Sequence, residues 1–103
     1  MKLEDVRKLS AALSAHFGDR DDAYRALASL TEELGEVAAE VNKLHGTGAK
    51  ATLKKEGSRA ALEEELGDVL LSIFYLANAL DVDLETEMQA KYMRLKEQFN
   101  LDI

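Results

Sequence analysis

The segment EELGDVLLSIFYLANAL, residues 64–80, decides the fold because it combines a helical pattern of apolar residues with the absence of proline. Apolar residues recur at intervals of three and four, at Leu62, Leu66, Val69, Leu70, Ile73, Leu76 and Leu80. This spacing predicts an α-helix over residues 59–80, with Ser58 as its N-cap. Leu71 and Phe74 add apolar surface elsewhere on the circumference. A helix this apolar is typically central.

The chain on the N-terminal side of this segment also follows a helical period. We predict a first helix over residues 3–17, ended by Gly18. A second helix follows Asp21 or Asp22 as N-cap and runs to residue 44, with a break near residues 29–31. Its apolar stripe is Leu30, Leu34, Val37, Val41 and Leu44.

Residues 45–57, HGTGAKATLKKEG, lose the helical period and are predicted to form a loop. After the third helix, Asp83 is placed to cap a fourth. The fourth helix carries an apolar stripe of Leu84, Met88, Tyr92, Leu95 and Phe99. The sequence therefore predicts an all-α fold, an up-and-down four-helix bundle that forms one domain over residues 1–103.

Composition limits the partners. The chain has 103 residues, 20 acidic and 13 basic, with a net charge of −7 and no cysteine. This charge argues against a nucleic-acid polymer or a membrane as principal partner, and the lack of cysteine excludes disulfides and zinc-thiolate sites. We expect a cytoplasmic protein, since no signal segment or membrane-spanning run is present. The modest length and the apolar third helix suggest a homodimer or a dimer of dimers, with sites completed across chains.

Two acidic motifs nearly repeat each other: EELGEV at residues 32–37 and EELGDV at residues 64–69. Relative to the apolar stripe of its helix, the couple Glu33 and Glu36 lies at about −60° and −120°, and the couple Glu65 and Asp68 lies at the same angles. If the two helices pack antiparallel, four carboxylates converge beside the core. An all-oxygen cage of this kind suits Mg²⁺ or Mn²⁺. The alternative is an ordinary solvated helix face.

Each motif also contains a glycine in the middle of its helix, Gly35 and Gly67. A mid-helix glycine costs about 1 kcal/mol relative to alanine. We therefore expect each glycine to allow close approach of another backbone or a ligand, although structural drift is an alternative.

The stretches TEELGEVAAEV, residues 31–41, and EEELGDVLLSIFYLANALDVDLETEMQAKY, residues 63–92, resemble the MazG-type nucleotide pyrophosphohydrolases. This all-α family has the pattern E-E-x-x-E, a spacer, then E-x-x-D. Glu32, Glu33 and Glu36 match the first part, and Glu65 with Asp68 matches the second. The spacer, residues 37–64, is at the long end for the family, and the likeness covers residues 27–99. Relatives include all-α dUTPases and phosphoribosyl-ATP pyrophosphohydrolases.

The resemblance implies hydrolysis of a nucleoside triphosphate, with a deoxynucleotide favoured, to the monophosphate and pyrophosphate. It implies that Glu33, Glu36, Glu65 and Asp68 bind Mg²⁺ or Mn²⁺, and that Glu32 or Glu33 is the general base. House-cleaning of non-canonical or surplus nucleotides is the expected purpose.

Basic residues are candidates for phosphate binding. Lys91 matches a lysine of many relatives, and Arg94 lies on the same polar edge of the fourth helix. Lys54 lies in the loop with Lys50 and Lys55. Many relatives carry a further arginine where this chain has Gln98, so its set of basic contacts departs from theirs. The alternatives are a lysine at the core edge for Lys91 and solvated side chains for the others.

Tyr75 and Asn78 are further candidates for substrate binding. Tyr75 lies on the same side of the helix as Asp68 and Ser72. It can stack on a base or have a structural role, and the structural role is favoured. Asn78 faces away from the carboxylates of its own chain, and relatives often carry Asn or Asp there. His16 and His45 share no metal-binding spacing and are taken as incidental.

Other functions remain possible. A di-iron carboxylate bundle needs Glu-x-x-His pairs, which the chain lacks. A nucleotide-binding or regulatory helical dimer without catalysis is one alternative, and Gln98 favours it. A phosphoribosyl-ATP pyrophosphohydrolase is the other.

Overall fold

The computed structural model describes residues 1–18, 22–45 and 58–103, which form four α-helices. They are α1 (Leu3–Phe17), α2 (Ala23–His45), α3 (Ser58–Ala79) and α4 (Leu84–Gln98). No strand occurs within these ranges, and no helix in them is both long and apolar enough to cross a membrane. The all-α fold with four helices is confirmed.

Helix α1 begins and ends at the predicted residues, and its end has a clear cause. Gly18 adopts a left-handed conformation with φ of 73°. Its backbone N–H donates to the carbonyl of Ser14 at 2.7 Å. A side chain is strained in this conformation, whereas glycine adopts it freely. The glycine therefore ends the helix.

Helix α2 is capped by Asp22, the second of the two candidates, because Asp22 Oδ1 accepts a hydrogen bond from the backbone N–H of Tyr24 at 2.9 Å. Asp21 lies outside the described residues. The break predicted near residues 29–31 is wrong, since α2 is continuous through them. The Thr31 hydroxyl donates to the carbonyl of Leu27 at 3.0 Å, one turn earlier, so this polar side chain is accommodated within the helix.

The turn between α3 and α4 follows local rules. Asp81 has a φ of 56°, and the Val82 N–H reaches back to the carbonyl of Ala77 at 2.8 Å, which closes the last turn of α3. Asp83 then caps α4 as predicted, accepting from the Thr86 N–H at 3.1 Å. At its other end, α3 begins at Ser58, one residue earlier than predicted.

Helix α3 is central, as its apolar surface predicts. It packs against α2 and against α1. Phe74, Tyr75 and Ala77 of α3 are buried together with Val6 of α1 and Ala26 of α2. Because α2 and α3 carry the two acidic motifs, this packing decides whether the motifs meet.

A polar contact joins α1 to α3 within this apolar environment. The Ser10 hydroxyl is fully buried and donates to the carbonyl of Arg7 at 2.9 Å. The Asn78 amide of α3 donates to Ser10 Oγ at 2.7 Å and to the same carbonyl at 3.3 Å. The hydrogen bonds fix how α1 lies on α3.

Helix α4 packs against α1, and its apolar stripe is open to solvent. Met88 and Tyr92 are each 50% exposed, and Phe99 is 61% exposed. Most of this stripe is therefore exposed in a single chain. The radius of gyration is 16.6 Å, larger than the roughly 13 Å typical of a compact domain of this length. A single chain leaves part of its apolar surface uncovered.

Candidate metal centre

The two acidic motifs meet where α2 packs against α3. Glu33 and Glu36 of α2 and Glu65 of α3 each place one carboxylate oxygen within 4.8 Å of the others. We call these three residues the carboxylate cluster. Glu33 and Glu65 are half-buried and Glu36 is exposed, so the cluster opens to solvent on one side. The sequence predicts these residues at the border of the apolar stripes, and residues at such a border lie between the core and the solvent.

Two oxygens of the carboxylate cluster have no hydrogen-bond partner among the residues that the structure describes. Glu33 Oε2 and Glu65 Oε2 are shielded from solvent and, while the carboxylates are ionised, accept no hydrogen bond from the described residues. A buried charged oxygen without a partner is costly, and three neighbouring carboxylates also repel one another. A divalent cation removes both costs, and an all-oxygen donor set suits Mg²⁺ or Mn²⁺. The residues present therefore fit the metal.

The pKa values of the cluster reflect this crowding. The pKa of Glu36 is raised above its usual value of 4.5, first by hydrogen bonding with Glu65, then by the charge of Glu65 and by desolvation. The pKa of Glu65 is also raised overall. Hydrogen bonding with Glu36 lowers it, but hydrogen bonding with Glu33, desolvation and the charges of Glu33 and Asp68 raise it by more. Without a cation, the cluster therefore holds protons more tightly than isolated carboxylates do.

Asp68 and Glu32 lie at the edge of the cluster. The charge of Asp68 contributes to the raised pKa of both Glu36 and Glu65, and that of Glu32 contributes at Glu36. Neither belongs to the group whose oxygens lie within 4.8 Å of one another. Three of the four predicted metal ligands are thus brought together, with the fourth beside them.

Two of the predicted phosphate-binding residues, Lys91 and Arg94, lie on a helix that does not pack extensively against α2. Lys91 is half-buried and Arg94 exposed on α4, which packs on α1 and forms no extensive contact with α2 in the part of the chain that is described. Lys54 lies outside the described residues, as do Lys50 and Lys55. The roles of these residues remain predictions.

Tyr75 and Asn78 have structural surroundings. The Tyr75 side chain is only 4% exposed, which favours the structural alternative over base stacking. Asn78 forms the polar contact with Ser10 on the side of α3 that faces α1. This agrees with the prediction that it faces away from the carboxylates of its own chain.

The mid-helix glycines do not serve close packing within the chain. A Cβ added at Gly35 or Gly67 meets no atom within 4 Å. The expected close approach of another backbone is therefore absent among the described residues. A bound ligand, a second chain and structural drift are the explanations left for these glycines.

Two features were missed from the sequence. Ser10 interrupts the apolar stripe of α1 between Val6 and Leu13, and a polar residue in such a position is a signal of a buried hydrogen bond. The other is an ion pair on α2 between Lys43 Nζ and Glu40 Oε1, at 3.0 Å. The sequence indicates this pair because residues of opposite charge three positions apart are neighbours on one face of a helix.

Comparison with known proteins supports the resemblance. The MazG nucleotide pyrophosphohydrolase domain matches residues 23–98, which include both acidic motifs. The chain belongs to this family. The chain is also 37% identical over 89 residues to the Bacillus subtilis strain 168 protein YpjD, described as uncharacterized, covering 82% of this chain and 78% of the relative.

Family membership gives the carboxylate cluster a context. Members of the MazG family are nucleotide pyrophosphohydrolases, a class of hydrolases, and generally depend on divalent metals. The matched range begins at the first residue of α2 and ends at the last residue of α4. Helix α1 therefore lies outside the match, although Ser10 ties it to α3.

Proposed function

We propose that the protein hydrolyses nucleoside triphosphates, and deoxynucleotides in particular, to the monophosphate and pyrophosphate with the help of Mg²⁺ or Mn²⁺. The observation that carries the proposal is the carboxylate cluster, in which residues from two distant motifs converge and leave two shielded oxygens without a partner in the described ranges. A solvated helix face does not need such an arrangement.

The metal ligands in this proposal are Glu33, Glu36, Glu65 and Asp68. A bound divalent cation supplies charge neutralisation on the polyphosphate and a lower pKa for a bound water. Asp68 completes the ligand set from the edge of the cluster. The chain has a net charge of −7, so its carboxylates would repel a triphosphate. A cation bound to the cluster offsets this repulsion at the site.

Glu32 or Glu33 accepts the proton of the attacking water. The water oxygen forms a bond to the α-phosphorus, and the bond from that phosphorus to the oxygen that bridges to the β-phosphorus breaks. Pyrophosphate leaves with the electron pair. Replacing the general base by its isostere should leave metal binding intact, whereas replacing a metal ligand should weaken it. Metal titrations of Glu32→Gln and Glu33→Gln therefore distinguish the two residues.

The functional form in this proposal is a homodimer or a dimer of dimers. The exposed stripe of α4, including Tyr92 and Phe99, requires a cover. Lys91 and Arg94 lie on the same helix, which forms no extensive contact with α2 among the described residues. A second chain packed on α4 supplies both needs. Sedimentation should give at least twice the chain mass of 11.4 kDa, and Tyr92→Asp should shift it towards one chain.

The cellular role that fits this chemistry is removal of non-canonical or surplus nucleotides in the cytoplasm. Pyrophosphate release from canonical, deaminated and oxidised nucleotides, with Mg²⁺ or Mn²⁺, tests the activity and ranks the substrates. Glu36→Gln and Asp68→Asn should abolish release, whereas Glu63→Gln, an exposed residue of α3, should not. A wild type that releases no pyrophosphate from any nucleotide with either metal would refute the proposal.

A further inference from the structure

The acidic face of α2 continues beyond the carboxylate cluster towards the C-terminal end of the helix. At 100° per residue, Glu40 lies within about 20° of Glu33, and Lys43 lies within about 20° of Glu36. The row that carries two metal-ligand candidates therefore also carries an ion pair, two turns further along. Lys43 is the cationic member of this row.

Lys43 is held in place before any ligand arrives. Its Nζ lies 3.0 Å from Glu40 Oε1, and the two side chains are only 28% and 15% exposed. The Arg59–Glu63 pair of α3, by contrast, has side chains that are 78% and 68% exposed. A side chain held in one orientation loses less conformational entropy when it binds a ligand.

The position of the ammonium group suits a ligand that starts at the carboxylate cluster. Helical side chains point back towards the N-terminus, and this holds for Glu36 as well as for Lys43, so the two side-chain ends stay seven residues apart along α2. This places the positive charge about 10 Å along the helix axis from the Glu36 carboxylate, a distance that an extended chain of three phosphates is needed to cover. A triphosphate chain can bridge that distance from a metal held by the cluster.

We propose that Lys43 binds the β- and γ-phosphates of a nucleoside triphosphate whose α-phosphate lies at the carboxylate cluster, an inference that rests on the proposed function. An ammonium group has three N–H donors, so it can keep Glu40 with one and donate to phosphate oxygens with the others. Lysine binds phosphate as a compact point charge. The leaving pyrophosphate then departs along α2, away from the monophosphate.

Binding measurements test this assignment without turnover. Calorimetry with Mg²⁺ compares a non-hydrolysable deoxynucleoside triphosphate analogue with the corresponding monophosphate. Lys43→Met keeps the apolar stem and removes the charge, and it should weaken triphosphate binding by about tenfold or more. Monophosphate binding should change by less than about twofold, and Lys43→Arg should restore most of the triphosphate affinity. Arg59→Met removes an exposed cation of a similar ion pair and should change neither.

The outcomes separate the two proposals. Equal losses for both nucleotides, or a triphosphate loss below about threefold, overturn the role of Lys43. If the wild type binds the analogue but releases no pyrophosphate from any substrate, the proposed reaction fails while the binding comparison still decides on Lys43. In an active wild type, Lys43→Met should raise KM more than it lowers kcat. Thermal denaturation confirms that each variant is folded, and Lys43→Gln replaces Lys43→Met if the latter is not.

Discussion

Removal of one carboxylate from the cluster should strongly reduce the stabilisation of the fold by Mg²⁺ or Mn²⁺. Glu36 supplies one of the three oxygens that lie within 4.8 Å of one another, and it is the exposed member, so Glu36→Gln changes the site without opening the core. In the absence of metal the variant should be at least as stable as the wild type, because a repelling charge is removed.

The size of the effect follows from linkage between binding and folding. At a metal concentration ten times Kd, a cation that binds only the folded chain stabilises it by about 1.4 kcal/mol, which raises Tm by about 6–11 °C for a domain of this size. Even the loss of an outer partner of a metal ligand weakens binding at least about tenfold. At the same metal concentration the variant should then shift by only about 2–3 °C.

The assay is thermal denaturation followed by circular dichroism, with and without metal, for the wild type, Glu36→Gln and Glu63→Gln. Glu63 lies on α3, is 68% exposed and pairs with Arg59, so its variant should retain the full metal shift. Equal shifts in all three proteins would place the metal elsewhere. No shift in the wild type at saturating metal would show that the cluster does not bind these cations.

Three further changes test the fold and the cluster. Ser10→Ala should lower the free energy of unfolding by about 1–3 kcal/mol in urea denaturation, since it removes the buried hydroxyl that joins α1 to α3; a loss below about 0.5 kcal/mol contradicts this. Asp81→Gly should raise it by about 1 kcal/mol, because Asp81 has a φ of 56° and a negative charge at the C-terminal end of α3; a decrease would refute the backbone argument. Without metal, the raised pKa values of Glu36 and Glu65 mean that their stabilising contribution is present below about pH 4.5 and is lost as pH rises through the raised values. A titration of Tm against pH checks this, and Glu36→Gln should flatten the curve.

The ends of the helices could be predicted because they depend on local chemistry. Gly18 ends α1 through its left-handed conformation, and Asp83 begins α4 through its side-chain oxygen. The break expected near Thr31 was wrong because the low helix propensity of such residues is outweighed by the rest of α2, and the hydroxyl finds an acceptor one turn back. Propensity is a weak guide where an element is long.

The carboxylate cluster could be predicted because a helix fixes angles, and both couples border a stripe that faces the other helix. What the angles could not decide is which oxygens meet. Asp68 lies at the same angle on α3 as Glu36 does on α2, but only Glu36 joins the close group, because the relative shift of two packed helices depends on side chains along the whole contact. Periodicity also does not reveal that α4 packs on α1, since an apolar stripe shows which face of a helix is apolar but not which helix it contacts.

The location of the carboxylate cluster also bears on how the protein folds. Helices α2 and α3 pack together more extensively than any other pair in the described ranges, and they follow each other in the chain. Contacts between neighbouring elements form with a small loss of loop entropy, so we expect this pair to assemble early. Metal ligands drawn from both helices would then be in place in the transition state. Mg²⁺ should therefore accelerate folding rather than only slow unfolding, and the order of assembly can be read from kinetics with and without the cation.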